Sequence, residues 1–119
     1  MTQQSELSIQ TLFRSRCRIL CPGVCLVAVP NGAKRSQWEA QRAKREGLAA
    51  GFPDILCFWK GPGIAAIEFK APKGKLSDNQ AEWLDRLTDL GIPATVSRDA
   101  DHALEFLRQA GAPFIGALS

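Results

Sequence analysis

The chain reads as an α/β domain, a mixed β-sheet with helices on both faces. Three observations predict it. Four short apolar runs, at residues 24–29, 54–59, 64–70 and 94–97, have strand length and alternate with longer segments of helical period. A Gly61-Pro62-Gly63 turn joins the second run to the third and makes them a hairpin. A helical segment separates the third run from the fourth, which makes that connection a crossover between parallel strands of right-handed sense. With 119 residues, 45% of them hydrophobic, the sequence suits one domain spanning 1–119 with a core of its own.

The elements follow in order. A first helix is expected from Ser5 to about Ile19, with Ile9, Leu12, Phe13 and Cys17 on its apolar face. Glu6 lies at the edge of that face, in the first turn, where a carboxylate suits the helix dipole. Pro22-Gly23 breaks the chain. Val24 to Val29 is apolar on both faces and is expected to be a strand covered on both sides. After the turn Pro30-Asn31-Gly32, a polar, basic helix containing Trp38 is expected from Ser36 to about Leu48. Lys34, Arg35, Arg42, Lys44 and Arg45 gather positive charge there, opposed only by Glu39 and Glu46. Such a run commonly forms a solvated face, and beside a phosphate-handling site it would contact phosphates.

The hairpin strands are expected at Asp54–Trp59 and Ile64–Lys70, followed by a Pro- and Gly-punctuated loop from Ala71 to Lys75. Ser77 is a good N-cap, and Gln80 three residues later completes a capping-box pattern. That helix runs to about Leu90, where Gly91 caps it and Ile92-Pro93 forbids its continuation. Ala94–Ser97 is the last strand, and Asp99 caps a last helix reaching about Gln109. The tail, residues 112–119, carries Phe114, Ile115 and Leu118, which should dock on the domain or on a second subunit.

The chemistry concentrates in the hairpin. Asp54 heads one strand, and Glu68-Phe69-Lys70 closes the next. Charges within otherwise apolar strands need a reason. Taken singly, Asp54 suits a turn after Pro53, and Glu68 with Lys70 suits a solvated ion pair. Taken together, a carboxylate pair can hold a hard cation, and a lysine beside it can polarise water or stabilise developing negative charge.

Pleat parity sets a condition on this site. Side chains alternate faces along a strand, and residues opposite each other in an antiparallel pair share a face. Asp54 and Glu68 therefore meet only if the connecting loop has an odd number of residues or a bulge intervenes. Three residues, Lys60 to Pro62, put Asp54 opposite Glu68. Five, Lys60 to Ile64, put it opposite Lys70. Four send the two carboxylates to opposite faces.

Gln80 carries two readings: a helix cap, or an amide directed at the sheet from the same face as Trp83, Leu84 and Leu87. Gly-Phe-Pro-Asp, then Glu-Phe-Lys, then Gly-Lys-Leu-Ser-x-x-Gln and a Trp-bearing helix ending in Leu-Gly resemble the VRR-NUC (virus-type replication-repair nuclease) family of the PD-(D/E)xK nuclease superfamily. Ser5 to Gln10 is similar to that family's opening helix, which bears a glutamate and then a glutamine. The resemblance spans about residues 6–108 and is least close from Cys21 to Ala50.

It implies a restriction-endonuclease-like core and a Mg²⁺- or Mn²⁺-dependent DNA endonuclease. Asp54 and Glu68 would bind the metal, the Phe69 backbone carbonyl would add an oxygen, and Glu6 would complete the acidic shell. Lys70 would activate the attacking water, and Gln80 would position that water or the lysine. Lys73 and Lys75, beside the site, join the basic segment as candidate phosphate contacts. The small stand-alone members, found in bacteria and phages, are similar in action to Holliday-junction resolvases, which implies branched DNA and a homodimer. Two other expectations stand beside this one: a restriction- or repair-type nuclease for duplex or flap DNA, and a non-catalytic DNA-binding module.

Composition sets outer bounds. A net charge of +3 permits nucleic-acid binding without demanding it. The polar N-terminus has no signal-peptide character and no run reaches membrane-spanning length, so a cytoplasmic place in a bacterial or phage-infected cell is expected. Cys17, Cys21 and Cys25 are spaced by fours rather than as Cys-x-x-Cys, and with Cys57 they read as reduced, mostly buried thiols rather than zinc ligands. His102, the one histidine, is expected on the surface of the last helix.

Overall fold

Each helix whose start is described begins where the sequence supplies a capping side chain. A computed structural model describes residues 5–30, 38, 41, 42, 45, 47 and 49–116. Helix α1 spans Glu6–Leu20, with the Ser5 hydroxyl accepting from the Ser8 amide. Helix α2 spans Asp78–Asp89 behind a capping box between Ser77 and Gln80. It ends at Gly91, whose positive φ of 84° lets the Gly91 and Ile92 amides turn back onto the Thr88 and Leu87 carbonyls. Helix α3 spans Ala100–Gln109, and the Asp99 carboxylate caps it by accepting from the His102 amide at 2.7 Å. Trp38, Gln41, Arg42 and Arg45 are helical, within the segment where a basic helix is expected.

The four strands are β1 (Cys25–Ala28), β2 (Ile55–Trp59), β3 (Gly63–Phe69) and β4 (Ala94–Ser97), ordered β1-β2-β3-β4 in one sheet. β1 and β3 both run antiparallel to β2, while β3 and β4 are parallel, as the crossover requires.

Strand parity divides the sheet into two faces. Ile55, Cys57, Ala65, Ile67 and Phe69 pack with Ile9, Phe13, Cys17, Ala103, Leu104 and Leu107 of α1 and α3 into one buried cluster. The Phe13 and Phe69 rings meet at 5.4 Å, and an ion pair between Arg16 and Asp101 ties α1 to α3 at the surface. The opposite face carries Asp54, Leu56, Ala66 and Glu68. Helix α2 reaches it, because the Gln80 amide touches Glu68.

The expectation that the first strand is covered on both faces is not met. β1 is an edge strand, and Cys25, Val27 and Ala28 are exposed. An apolar run states hydropathy, not position in the sheet, and this one is only four residues long. Leu12, expected on the buried stripe of α1, is 38% exposed, so that stripe narrows to Ile9, Phe13 and Cys17.

Among the tail residues, Ala112 is buried and Phe114 packs on the core, while Ile115 is exposed. Leu118 lies outside the described residues. Cys17, Cys21 and Cys57 are buried free thiols, and Cys25 is an exposed one. Burial raises the pKa of all three buried thiols, that of Cys57 to about 12, so they are protonated and unreactive at neutral pH. His102 lies on the exposed side of α3, yet its Nδ1 is 2.7 Å from the buried Ser97 hydroxyl.

Candidate functional site

The hairpin loop is the three-residue one. Trp59 pairs with Gly63, Phe58 with Ile64 and Ile55 with Ile67, which leaves Lys60, Gly61 and Pro62 as the connection. One step further along the same register, Asp54 stands opposite Glu68. Gly63 explains why the loop closes there. A Cβ at Gly63 would lie 2.0 Å from the Trp59 indole, so only glycine lets that ring lie across its cross-strand partner.

Asp54 is held by its neighbour's backbone: its Oδ2 accepts from the Phe69 amide at 2.8 Å. Glu68 is 2% exposed and meets the Asp54 carboxylate across the pair. Its pKa is pushed from 4.5 up to about 8, first by burial, then by the negative charge and hydrogen bonding of Asp54. The Lys70 ammonium pulls in the other direction, and Glu6 adds a small further push upward. The Asp54 carboxylate beside it thus disfavours the ionised form of Glu68, and an added positive charge would favour it.

Gln80 fills both of its roles at once. Its Oε1 accepts from the Ser77 amide at 2.9 Å, completing the capping box. That bond fixes which end of the amide faces the sheet, and Nε2 donates to Glu68 Oε2 at 3.1 Å. The helix cap is therefore also the device that aims a donor at the buried carboxylate.

Glu6 is exposed in the first turn of α1. Its charge is felt at Glu68, but it does not close on the pair. Among the described residues, no three Asp, Glu, His or Cys side chains converge as a complete cation cage. Lys70 follows β3 on the Glu68 face, half-buried, with its amide donating to the Ser97 carbonyl at 3.0 Å. Lys73 and Lys75 are exposed on the turn beyond it. Arg42 and Arg45 are exposed, and the Arg42 guanidinium lies 5.7 Å over the Trp38 ring. Lys34, Arg35 and Lys44 lie outside the described residues.

Two contributions escape a reading of the sequence. Gly51 has φ of 83°, and a Cβ there would come within 2.7 Å of the Asn79 backbone in the first turn of α2. The glycine lets the Gly51–Asp54 segment press onto α2, and Phe52 meets Trp83 edge-on at 5.1 Å. The Gly-Phe-Pro-Asp motif and the Ser-x-x-Gln motif are thus two sides of one contact. Gly51 is visible in the sequence, but nothing local says what it approaches. The second contribution is Arg98, whose Nη1 donates to the Ala71 carbonyl at 2.9 Å and the Gly74 carbonyl at 2.6 Å. An arginine after a strand carries no local signal of this.

The family model described as the VRR-NUC domain matches residues 4–101. The chain belongs to the VRR-NUC family. This is a nuclease family. A solved structure titled "VRR_NUC domain protein" is similar, with 19% sequence identity and a TM-score of 0.73, covering 93% of this chain and 91% of that one. At that identity the match establishes the shared α/β fold. No curated protein matches the chain. Among the described residues, no helix is long and apolar enough to cross a membrane.

Proposed function

We propose that this VRR-NUC chain is a metal-dependent endodeoxyribonuclease that hydrolyses phosphodiester bonds in DNA. One observation carries the reading: Glu68 is buried against the half-buried Asp54 carboxylate, whose negative charge outweighs the pull of Lys70, which is the condition a divalent cation satisfies. Asp54 and Glu68 would hold Mg²⁺ or Mn²⁺, with the Phe69 carbonyl as a further oxygen ligand and Glu6 acting from the rim. Such an ion, when bound, supplies Lewis acidity, neutralising charge on the phosphate and making water a stronger acid.

The chain's own residues do the rest. Asp54 is aimed by the Phe69 amide, and Glu68 by Gln80. Lys70 brings an ammonium to the same face, where it orients the attacking water and stabilises charge on the phosphate as the P–O bond breaks. The positive charges of Lys73, Lys75, Arg42 and Arg45, with Lys34, Arg35 and Lys44, would engage the DNA backbone.

The preferred substrate in this reading is branched DNA, cut by a homodimer. Paired cuts in two strands need two active sites, most simply related by two-fold symmetry. The test is incubation with labelled single-stranded, duplex, flap and four-way-junction DNA in Mg²⁺, in Mn²⁺ and in EDTA, with the mass measured by light scattering. Junction cleavage that needs the ion and a mass near twice that of one chain support the reading. Preference for duplex or flap DNA replaces the branched substrate with a restriction- or repair-type one. Binding without cleavage makes the domain a non-catalytic module, and full cleavage in EDTA removes the metal.

A further inference from the structure

Arg98 stands outside every motif read from the sequence, yet it closes the loop that leaves the active site. The β3–β4 pairing ends where the Lys70 amide meets the Ser97 carbonyl. The next residue on the β4 side, Arg98, continues the connection with its side chain. Its Nη1 donates to Ala71 and Gly74, with the Pro72 carbonyl at a marginal 3.5 Å. The Gly74 amide donates back to the Ala71 carbonyl at 2.9 Å and closes the turn. Carbonyls at a turn converge on a cation, and here one nitrogen of a half-buried guanidinium donates to two of them.

The turn bears directly on Lys70. A Cβ added at Gly74 would lie 3.5 Å from Lys70 Cδ and 3.3 Å from the Ala71 carbonyl. The aliphatic stem of Lys70 therefore runs beside the turn that Arg98 holds. A long, flexible lysine stem has many rotamers, and a wall along it selects among them.

We infer that Arg98 is a positioning residue for the nuclease reaction: it clamps the 71–74 turn and thereby fixes where the Lys70 ammonium sits relative to Glu68. This inference rests on the proposed nuclease reading. The test compares wild type with Arg98→Ala and Arg98→Lys on whichever DNA of the panel the wild type cuts. Arg98→Ala is expected to lower kcat by roughly ten- to a hundredfold, the cost of misplacing a reacting group, while DNA affinity changes little. Millimolar guanidinium chloride should restore part of that rate, and the same concentration of potassium chloride should not. Arg98→Lys should recover less than half of the loss, because the lysine ammonium falls one bond short of the Nη1 position that meets both carbonyls.

Amide hydrogen exchange at Gly74, which needs no activity, should speed up in Arg98→Ala. Unchanged kcat, unchanged Gly74 exchange, or a tenfold loss of affinity at constant kcat would each overturn the inference. The last would make Arg98 a phosphate contact. A wild type that cuts no DNA overturns the nuclease reading itself and with it Arg98's part in the reaction, whereas a wild-type-like Arg98→Ala overturns the clamp alone.

Discussion

Strand β3 buries residues Ala65 to Phe69 almost completely, yet its two faces do opposite things. Ile67 and Phe69 enter the dry core beneath α1 and α3. Glu68, between them and equally buried, meets a second carboxylate, an amide and a nearby ammonium. The core face lowers free energy by removing apolar surface from water. The Glu68 face raises it, because an acid group is buried beside a like charge. Burial alone therefore does not tell core from site. The chemistry of the partners does, and here a two-residue period separates them.

The largest expected effects set these faces against each other. Asp54→Ala and Glu68→Ala should abolish cleavage while leaving the circular dichroism spectrum and the melting transition in place. Lys70→Ala should lower the rate by roughly 10²–10⁴-fold and still bind Mn²⁺ by calorimetry. Phe69→Ala, one residue away, should instead cost about 3–5 kcal/mol of stability. Wild-type cleavage by Asp54→Ala, or a Glu68→Ala that unfolds outright, would erase the distinction.

A second prediction uses the sign of the Glu68 shift. The folded protein holds this proton more tightly than the unfolded chain does. The group's stabilising contribution is thus full below pH 4.5 and is lost as the pH rises toward about 8. Without divalent ions, thermal stability should fall across that window. Glu68→Gln should flatten the fall and melt higher than wild type at pH 8. Added Mg²⁺ should raise the wild type's melting temperature and leave the variant's nearly unchanged. If the two proteins show parallel pH profiles in EDTA, Glu68 is not the buried acid described here.

Smaller effects test how the faces are joined. Gly51→Ala places a side chain at positive φ and against the α2 backbone, and should cost more than about 1 kcal/mol. It should also reduce activity by shifting the Asp54 segment relative to Gln80. Full activity in this variant would mean that α2 tolerates being pushed away. The smallest expected effect concerns the basic helix. Arg42→Ala with Arg45→Ala should weaken DNA binding about equally for all sequences. The salt slope should fall by roughly one unit for each phosphate no longer engaged. No change in either quantity would leave that helix as a solvated face.

Much of this was written locally in the chain. Ser5, Ser77 and Asp99 marked the helix starts, and Gly91 marked the end of α2, because a cap is a hydrogen bond within a few residues. The hairpin's parity followed from the pleat, which limited the loop to an odd length if Asp54 and Glu68 were to meet. The choice of three residues over five turned on the Trp59 indole lying over Gly63, a cross-strand contact only four residues apart that hydropathy does not show, but the burial of Glu68 was tertiary. So were the exposure of β1, which depends on its edge position, and the double service of Gln80, whose amide direction is set by the cap but whose partner is set by packing. Gly51 against α2 and Arg98 on the 71–74 turn were equally invisible. Each joins segments more than twenty residues apart. Local rules act through bonds and neighbours along the chain, so they specify elements and their ends. A carboxylate pair with Glu68 buried, and the groups that hold it in place, exist only once distant segments are brought together.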